Sequence, residues 1–147
     1  MTAAELQQYL HTHIPLSAAM QVMVQHASAD MVELQAPLEP NVNHRGTAFG
    51  GSIATLATLA GWSLLRIRLD GMEPLPHLVI QHQEMHFSAP IIGPLLTRAR
   101  FPAGTDWAAF LAMLENRGRA RLQLTAEVLS GTQPAARMEG LFVALKV

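Results

Sequence analysis

Cysteine is absent from the chain. That excludes disulfides, thiolate zinc sites and a cysteine nucleophile, and it is compatible with the cytoplasm, which is the expected location. Charge is scarce too: 14% of residues are charged and the formal net charge is −1. Without a basic block, nucleic acid is excluded as the expected partner. Long hydrophobic runs are also lacking. The most apolar stretch, Ile53 to Leu65, holds about 13 residues and includes Thr55, Thr58, Gly61 and Ser63, whereas a bilayer span needs ~20. No membrane partner is expected. The opening "MTAAELQQYLHTHIPLS" has Glu5 early and no apolar core of the length a signal peptide requires. Internal repeats, low-complexity tracts and linkers are absent as well.

What is present is apolar: half of the 147 residues are hydrophobic. That excludes disorder and fits one domain spanning 1–147, able to bury a core without staples. So many apolar and so few charged side chains imply that part of the surface is covered by another copy of the chain.

Thr2 followed by Glu5 reads as a capping box, opening a short helix that ends before Pro15. In "MQVMVQHAS", Met20, Val22 and Val24 alternate with Gln21, Met23 and Gln25. In "DMVELQAPL", Val32, Leu34 and Ala36 alternate with Glu33 and Gln35. Both read as strands with one wet face. "SIATLATLAGWSLLRIRLDG" is helical, with Ser52 available as N-cap, Arg66 and Arg68 near the C-terminal end, and Asp70-Gly71 to close it. Apolar residues fall on nearly all its faces, so this helix should be buried on every side. "HLVIQHQEMHF" alternates Val79, Gln81, Gln83, Met85 and Phe87 against Ile80, His82, Glu84 and His86; "GPLLTRARF" is a short strand. "DWAAFLAMLENRG" has a helical period through Trp107, Phe110, Leu111 and Leu114, with Asp106 as cap and Gly118 as stop. "RARLQLTAEVLSG" places Ala120, Leu122, Leu124, Ala126 and Val128 inside, and "ARMEGLFVALKV" closes the chain as a strand. The order α-β-β-α-β-β-α-β-β, with one central helix and about six mostly antiparallel strands, predicts an α+β fold whose sheet wraps that helix.

Several chemistries are excluded by spacing. His11 and His13, alternate residues at a helix end, read as solvent-facing rather than as metal ligands. His82 and His86 have the four-residue spacing of a zinc-protease helix, but on a strand it separates them by roughly 13 Å, and Glu84 is wrongly placed for that motif. No metal is expected. "GTAFGGS" lacks the lysine and the glycine spacing of a P-loop, and no G-x-S-x-G elbow occurs. That leaves Gly50 and Gly51 directly before the apolar helix. The first amides of a helix have no internal partner and carry partial positive charge. With no side chains in the way, they can hold a carbonyl oxygen and stabilise negative charge developing on it. The same pair also suits an ordinary turn onto a buried helix; from the residues alone both readings stand.

The pattern Asn43-x-x-Gly46-x-x-Phe49-Gly50-Gly51, followed by an apolar helix, resembles the N-x-x-G-x-x-H-G-G signature of hot-dog-fold acyl thioesterases of the phenylacetate type. "HFSAPIIGPLLTRAR" is similar to that superfamily's strand–proline–glycine–strand segment. "GTAFGGS", "LAGW", "GRARLQL" and "EGLFVAL" are similar to its branch of thioesterase domains found alone or fused behind an acetyltransferase domain. The resemblance covers essentially the whole chain. It implies a hot-dog fold, a curved antiparallel sheet around a long central helix. It implies a homodimer or dimer of dimers with sites at the subunit interface, and an acyl thioester of coenzyme A or acyl carrier protein as substrate, with no separate cofactor. Gly50 matches the glycine whose amide polarises the thioester carbonyl. Asn43 matches the asparagine that helps hold water or substrate. Phe49 replaces the usual histidine. Thr58 occupies the position of the expected aspartate or glutamate, and its hydroxyl has no comparable basicity. No acidic residue lies between Ser52 and Leu69. Glu84, His82, His86 and His44 are the other candidate bases, none with a counterpart in the family.

The first hypothesis is therefore a thioesterase. The carbonyl rests on the Gly50 and Gly51 amides and water is positioned by Asn43 and Thr58. An apolar slot is lined by Phe49, Leu56, Trp62 and Phe87, and Arg98, Arg100, Arg119 or Arg121 meets the coenzyme phosphates. The second, motivated by the missing carboxylate, is a non-catalytic acyl-thioester or acyl-carrier binding module. A hot-dog dehydratase ranks last, because it needs a histidine and a carboxylate that this helix does not supply.

Overall fold

The computed structural model describes all 147 residues. Helix α1 (Ala3–His13) opens with the expected reciprocal cap between Thr2 and Glu5. Pro15 does not merely end it. Its fixed φ and missing N–H suit the first position of a helix, and a short α2 (Pro15–Ala19) starts there. Strands β1 (Met23–Ala27) and β2 (Met31–Ala36) follow, then a 3-10 turn at Glu39–Asn41 and the long α3 (Gly50–Arg68). The remainder is β3 (His77–Phe87), β4 (Leu95–Arg100), α4 (Trp107–Arg117), β5 (Arg119–Ser130) and β6 (Gln133–Leu145).

All six strands form one antiparallel sheet in the order β1-β2-β4-β5-β6-β3. Its concave face wraps α3, which touches every strand from β2 to β3. Val32, Leu34 and Ala36 on β2, and Ala120, Leu122, Leu124, Ala126 and Val128 on β5, all point into this core, as their alternation requires. No residue of α3 is fully exposed. Leu56, Leu64 and Leu65 are completely buried, each stabilising the fold by about 1.5–3 kcal/mol. Phe142 is wedged between Gly61 of α3 and Gly140 of β6. A Cβ added at either glycine would come within 2.8 Å of its ring, so these glycines set how closely the helix approaches the sheet.

One register shift matters for the site. Ile80 pairs with Phe142, but His82 pairs with Leu141, so Gln81 is an extra, bulged residue. The simple alternation expected along β3 is corrected here. Leu78 and Ile80 face the helix before the bulge, and Gln83, Met85 and Phe87 face it afterwards, opposite the inward Gly140, Met138 and Ala136. His82, Glu84 and His86 are thereby turned to the outer face, where His82 pairs with Glu84 at 3.4 Å.

Candidate functional site

The mouth of α3 is built by the loop before it. Asn43 makes this loop rigid. Its Oδ1 accepts from the amides of Arg45 (2.8 Å) and Thr47 (3.2 Å), and its Nδ2 donates to Thr47 Oγ1 at 2.8 Å. Gly46, at φ 79, provides the left-handed turn inside that loop. Asn41, 2% exposed, donates from Nδ2 to the carbonyls of Met20 and Pro37, while its own carbonyl receives the Phe49 amide at 2.8 Å. Chain direction into the helix is thus fixed by Asn41 and Asn43 together. The Asn43 side chain is occupied by its own turn, so it holds the loop rather than a water.

The helix begins three residues earlier than expected. Its N-cap is Phe49, in extended conformation, and no side chain caps it. Ser52 lies inside the first turn and does not serve as N-cap. By contrast, Thr2 and Asp106 cap α1 and α4 with side-chain oxygens. The first amide of α3 to find an acceptor is that of Ile53, which donates to the Phe49 carbonyl at 3.0 Å. The N–H groups of Gly50, Gly51 and Ser52 donate to nothing in the chain, so three partly positive donors remain free at the helix start.

Cavities open on both sides of this point. Gly50, Ile53 and Phe87 border one of about 360 Å³ with the loop from Ser88 to Ile91. Gly51, Ser52, Phe49, Asn41 and Thr55 border another of about 280 Å³. Phe49 and Phe87, each 55% exposed, flank the mouth. The Phe49 ring lies directly over Gly51, where an added Cβ would come within 2.3 Å of it; at Gly50 the nearest ring atom, of Phe87, would be 3.8 Å away.

A third depression, about 330 Å³, continues along α3 beneath β3. Thr55 borders both it and the Gly51 cavity. Its further lining includes Ala54, Thr58, Trp62, Ile80 and Gln83. Gly51, Thr55, Thr58 and Trp62 are spaced four, three and four residues apart, which is one stripe of a helix. Thr55 Oγ1 donates to the Gly51 carbonyl and Thr58 Oγ1 to the Ala54 carbonyl, each at 2.8 Å. Both hydroxyl protons are spent on the helix backbone. Gln83 reaches across from β3 and its Nε2 donates to Thr58 Oγ1 at 2.6 Å. Gln83 was not among the candidate site residues of the sequence; the local alternation groups it with Met85 and Phe87, but the bulge set by pairing with β6 decides that this face is the inner one.

The remaining expected residues are dispersed. Leu56 is 0% exposed and belongs to the core, so it supports the helix from behind rather than lining a slot. Arg119 and Arg121 are exposed on the outer face of β5, in register with Leu145 and Val143, hence with His77 and Val79 at the far end of β3 from Phe87. They are not brought to the helix start. Arg98 and Arg100 lie on the outer face around a polar hollow with Arg137, Glu127 and Thr125, and Arg98 is paired with Glu33. His11 is not simply solvent-facing: its Nε2 meets the Val22 carbonyl at 2.7 Å. The carboxylates with displaced acidity, Glu5 and Asp70, are at the start of α1 and beyond the C-terminal end of α3. No carboxylate or imidazole borders either cavity at the helix mouth.

A six-stranded antiparallel sheet wrapped around one long helix defines a hot-dog fold. The family described as "Putative thioesterase (yiiD_Cterm)" matches residues 3–146, and the chain belongs to it. Among solved structures, it is similar to a protein of unknown function from Chlorobaculum tepidum TLS (28% identity, TM-score 0.89, 99% of this chain and 94% of that one). It is also similar to a "putative thioesterase" from Shewanella oneidensis (27% identity, TM-score 0.85, 97% and 96%). A thioesterase from Haemophilus influenzae shares the fold at 14% identity (TM-score 0.74, 98% and 90%). No helix of the chain is long and apolar enough to cross a membrane.

Proposed function

We propose that the protein hydrolyses an acyl thioester carried by coenzyme A or by an acyl carrier protein. The observation that carries this is the set of three unengaged N–H groups at Gly50, Gly51 and Ser52, opening beside an apolar groove along the same helix. The thioester carbonyl oxygen accepts from these amides. Water adds to the carbonyl carbon, the negative charge that develops on oxygen is held by the helix start, and the C–S bond then breaks. The acyl group leaves as the carboxylic acid, and the thiolate takes up a proton. Ser52 is the hydroxyl on this face not tied back as those of Thr55 and Thr58 are, which supports assigning it, in preference to Thr58, the orienting of water. Phe49 and Phe87 flank the thioester, and a second copy of the chain covers them together with Ile92, 73% exposed.

A second reading, an acyl-thioester or acyl-carrier binding module, is favoured by one observation: no acid or imidazole borders the helix mouth, so no general base is at hand on this chain. Thiol release and calorimetric binding measured on one sample with a panel of acyl-CoAs separate the two. Free thiol appearing in proportion to enzyme is the expected result. Binding with no thiol released overturns hydrolysis and leaves the module.

A further inference from the structure

We infer that Trp62 is the end-stop of the acyl groove and limits the substrate to acyl chains of medium length. The inference rests on the thioester reading above and names the acyl class for that site. The stripe Gly51, Thr55, Thr58, Trp62 leads away from the free amides along one side of α3, and Thr55 joins the two depressions that the stripe crosses. Because the hydroxyls of Thr55 and Thr58 are bonded to the carbonyls one turn back, the two threonines offer the groove little more than methyl groups. Ala54, Leu59, Ile80 and Ile14 complete an apolar wall. Gln83 is the one polar side chain with an amide on this lining, and its Nε2 is already spent on Thr58 Oγ1, so the groove favours a hydrocarbon over a charged acyl group.

Trp62 closes the far end, and it is held from two sides. Its Nε1 donates to the Leu78 carbonyl at 3.1 Å. Tyr9 of α1 stacks behind it, 5.9 Å between ring centres and 15° from parallel. Beyond, one turn on, Arg66 places its guanidinium 5.9 Å from the Tyr9 ring and binds Asp70 at 3.0 Å. A chain passing Trp62 would meet a charged pair. From Gly51 to Trp62 the helix advances about 16 Å at ~1.5 Å per residue. A fully extended chain, advancing ~1.2 Å per bond as extended polypeptide does, fills that span with on the order of a dozen carbons.

The test is kcat/KM for thiol release over a series of straight-chain saturated acyl-CoAs, with affinities for the same series by calorimetry. Wild type gains about fourfold per added methylene and then stops gaining near a dozen carbons. Trp62→Leu moves that break to longer chains by one methylene or more. Tyr9→Ala, which leaves the indole but removes its brace, moves it in the same direction by less, and serves if the Trp62 variant fails to fold. A break at the same length in wild type and Tyr9→Ala, with Trp62→Leu unmoved or unfolded, overturns the inference. So does a wild-type series with no break. If wild type releases no thiol, hydrolysis fails, and the calorimetric series alone decides the end-stop by the same criteria. Absence of both turnover and binding overturns the two together.

Discussion

Gln83 Nε2 donates to Thr58 Oγ1 at 2.6 Å, while that hydroxyl gives its own proton to the Ala54 carbonyl at 2.8 Å. With its proton given to the backbone and one lone pair taken by Gln83, Thr58 offers water a neutral acceptor and cannot take its proton as the carboxylate expected at this place from the family resemblance would. Thr58→Val keeps the shape of the groove and loses only the oxygen. The half-exposed Gln83 amide can then turn to solvent. We expect turnover within about threefold of wild type; a residue positioning the attacking water would cost ~10²-fold or more. Steady-state thiol release decides between them.

Phe142 against Gly61 gives a stability prediction. In an exposed helix, glycine to alanine gains up to about 1 kcal/mol. Here the new methyl would lie 2.8 Å from the Phe142 ring, whose same edge also packs on Gly140. Overpacking of this kind costs about 1–3 kcal/mol. Gly61→Ala should lower the urea midpoint. Combined with Phe142→Leu, it should cost less than it does alone, and the double-mutant cycle measures that difference.

Asp70 ties the start of α1 to the end of α3. The Met1 ammonium lies 2.9 Å from Oδ2 and Arg66 Nη1 3.0 Å from Oδ1. These hydrogen bonds, the ammonium first, hold its carboxyl below the usual aspartate value. With the folded value depressed, the stabilisation is complete above the unfolded value near ~4 and is lost as pH falls through the folded one. Asp70→Asn should therefore flatten the acid limb of stability against pH. The carboxylate is 40% exposed, so the difference should shrink in molar salt. An acid limb identical in the two proteins contradicts the assignment.

Most elements were legible because their signals are local. The Thr2–Glu5 box, the Asp106 cap and Gly118, in the left-handed region at φ 72, each work within one helical turn. The alternations of β2 and β5 are written in consecutive residues. What failed depends on distant parts of the chain. The bulge at Gln81 exists because β3 pairs with β6, and it decides that Gln83 rather than Glu84 faces the helix. The start of α3 was misplaced at Ser52 because capping chemistry points to serine. The actual cap, Phe49, is chosen by Asn41 receiving its amide from across the loop. Leu56 illustrates the remaining gap: periodicity marks a side chain as apolar, but only the packed fold tells a groove wall from the core behind it.

The free amides can be removed one at a time. Gly50 is the first residue of α3, and its N–H has no partner in the chain. Proline is tolerated at that position, where its fixed φ suits the helix and its missing donor is not needed. It also requires an extended residue before it, and Phe49 has φ −65 and ψ 133. Gly50→Pro should thus fold with near wild-type stability while lacking one N–H at the mouth. Gly50→Ala is the control, since it keeps the N–H and its added methyl meets the Phe87 ring only at 3.8 Å. If the Gly50 amide holds the developing oxyanion, the proline variant loses ~10²–10³ in kcat. Alanine should stay within about tenfold, the range open to a change that leaves the donor in place. Matching thermal melts make the comparison valid. Equal loss in both variants would mean that space, not the donor, matters at Gly50. Full activity in the proline variant would mean that the carbonyl rests elsewhere.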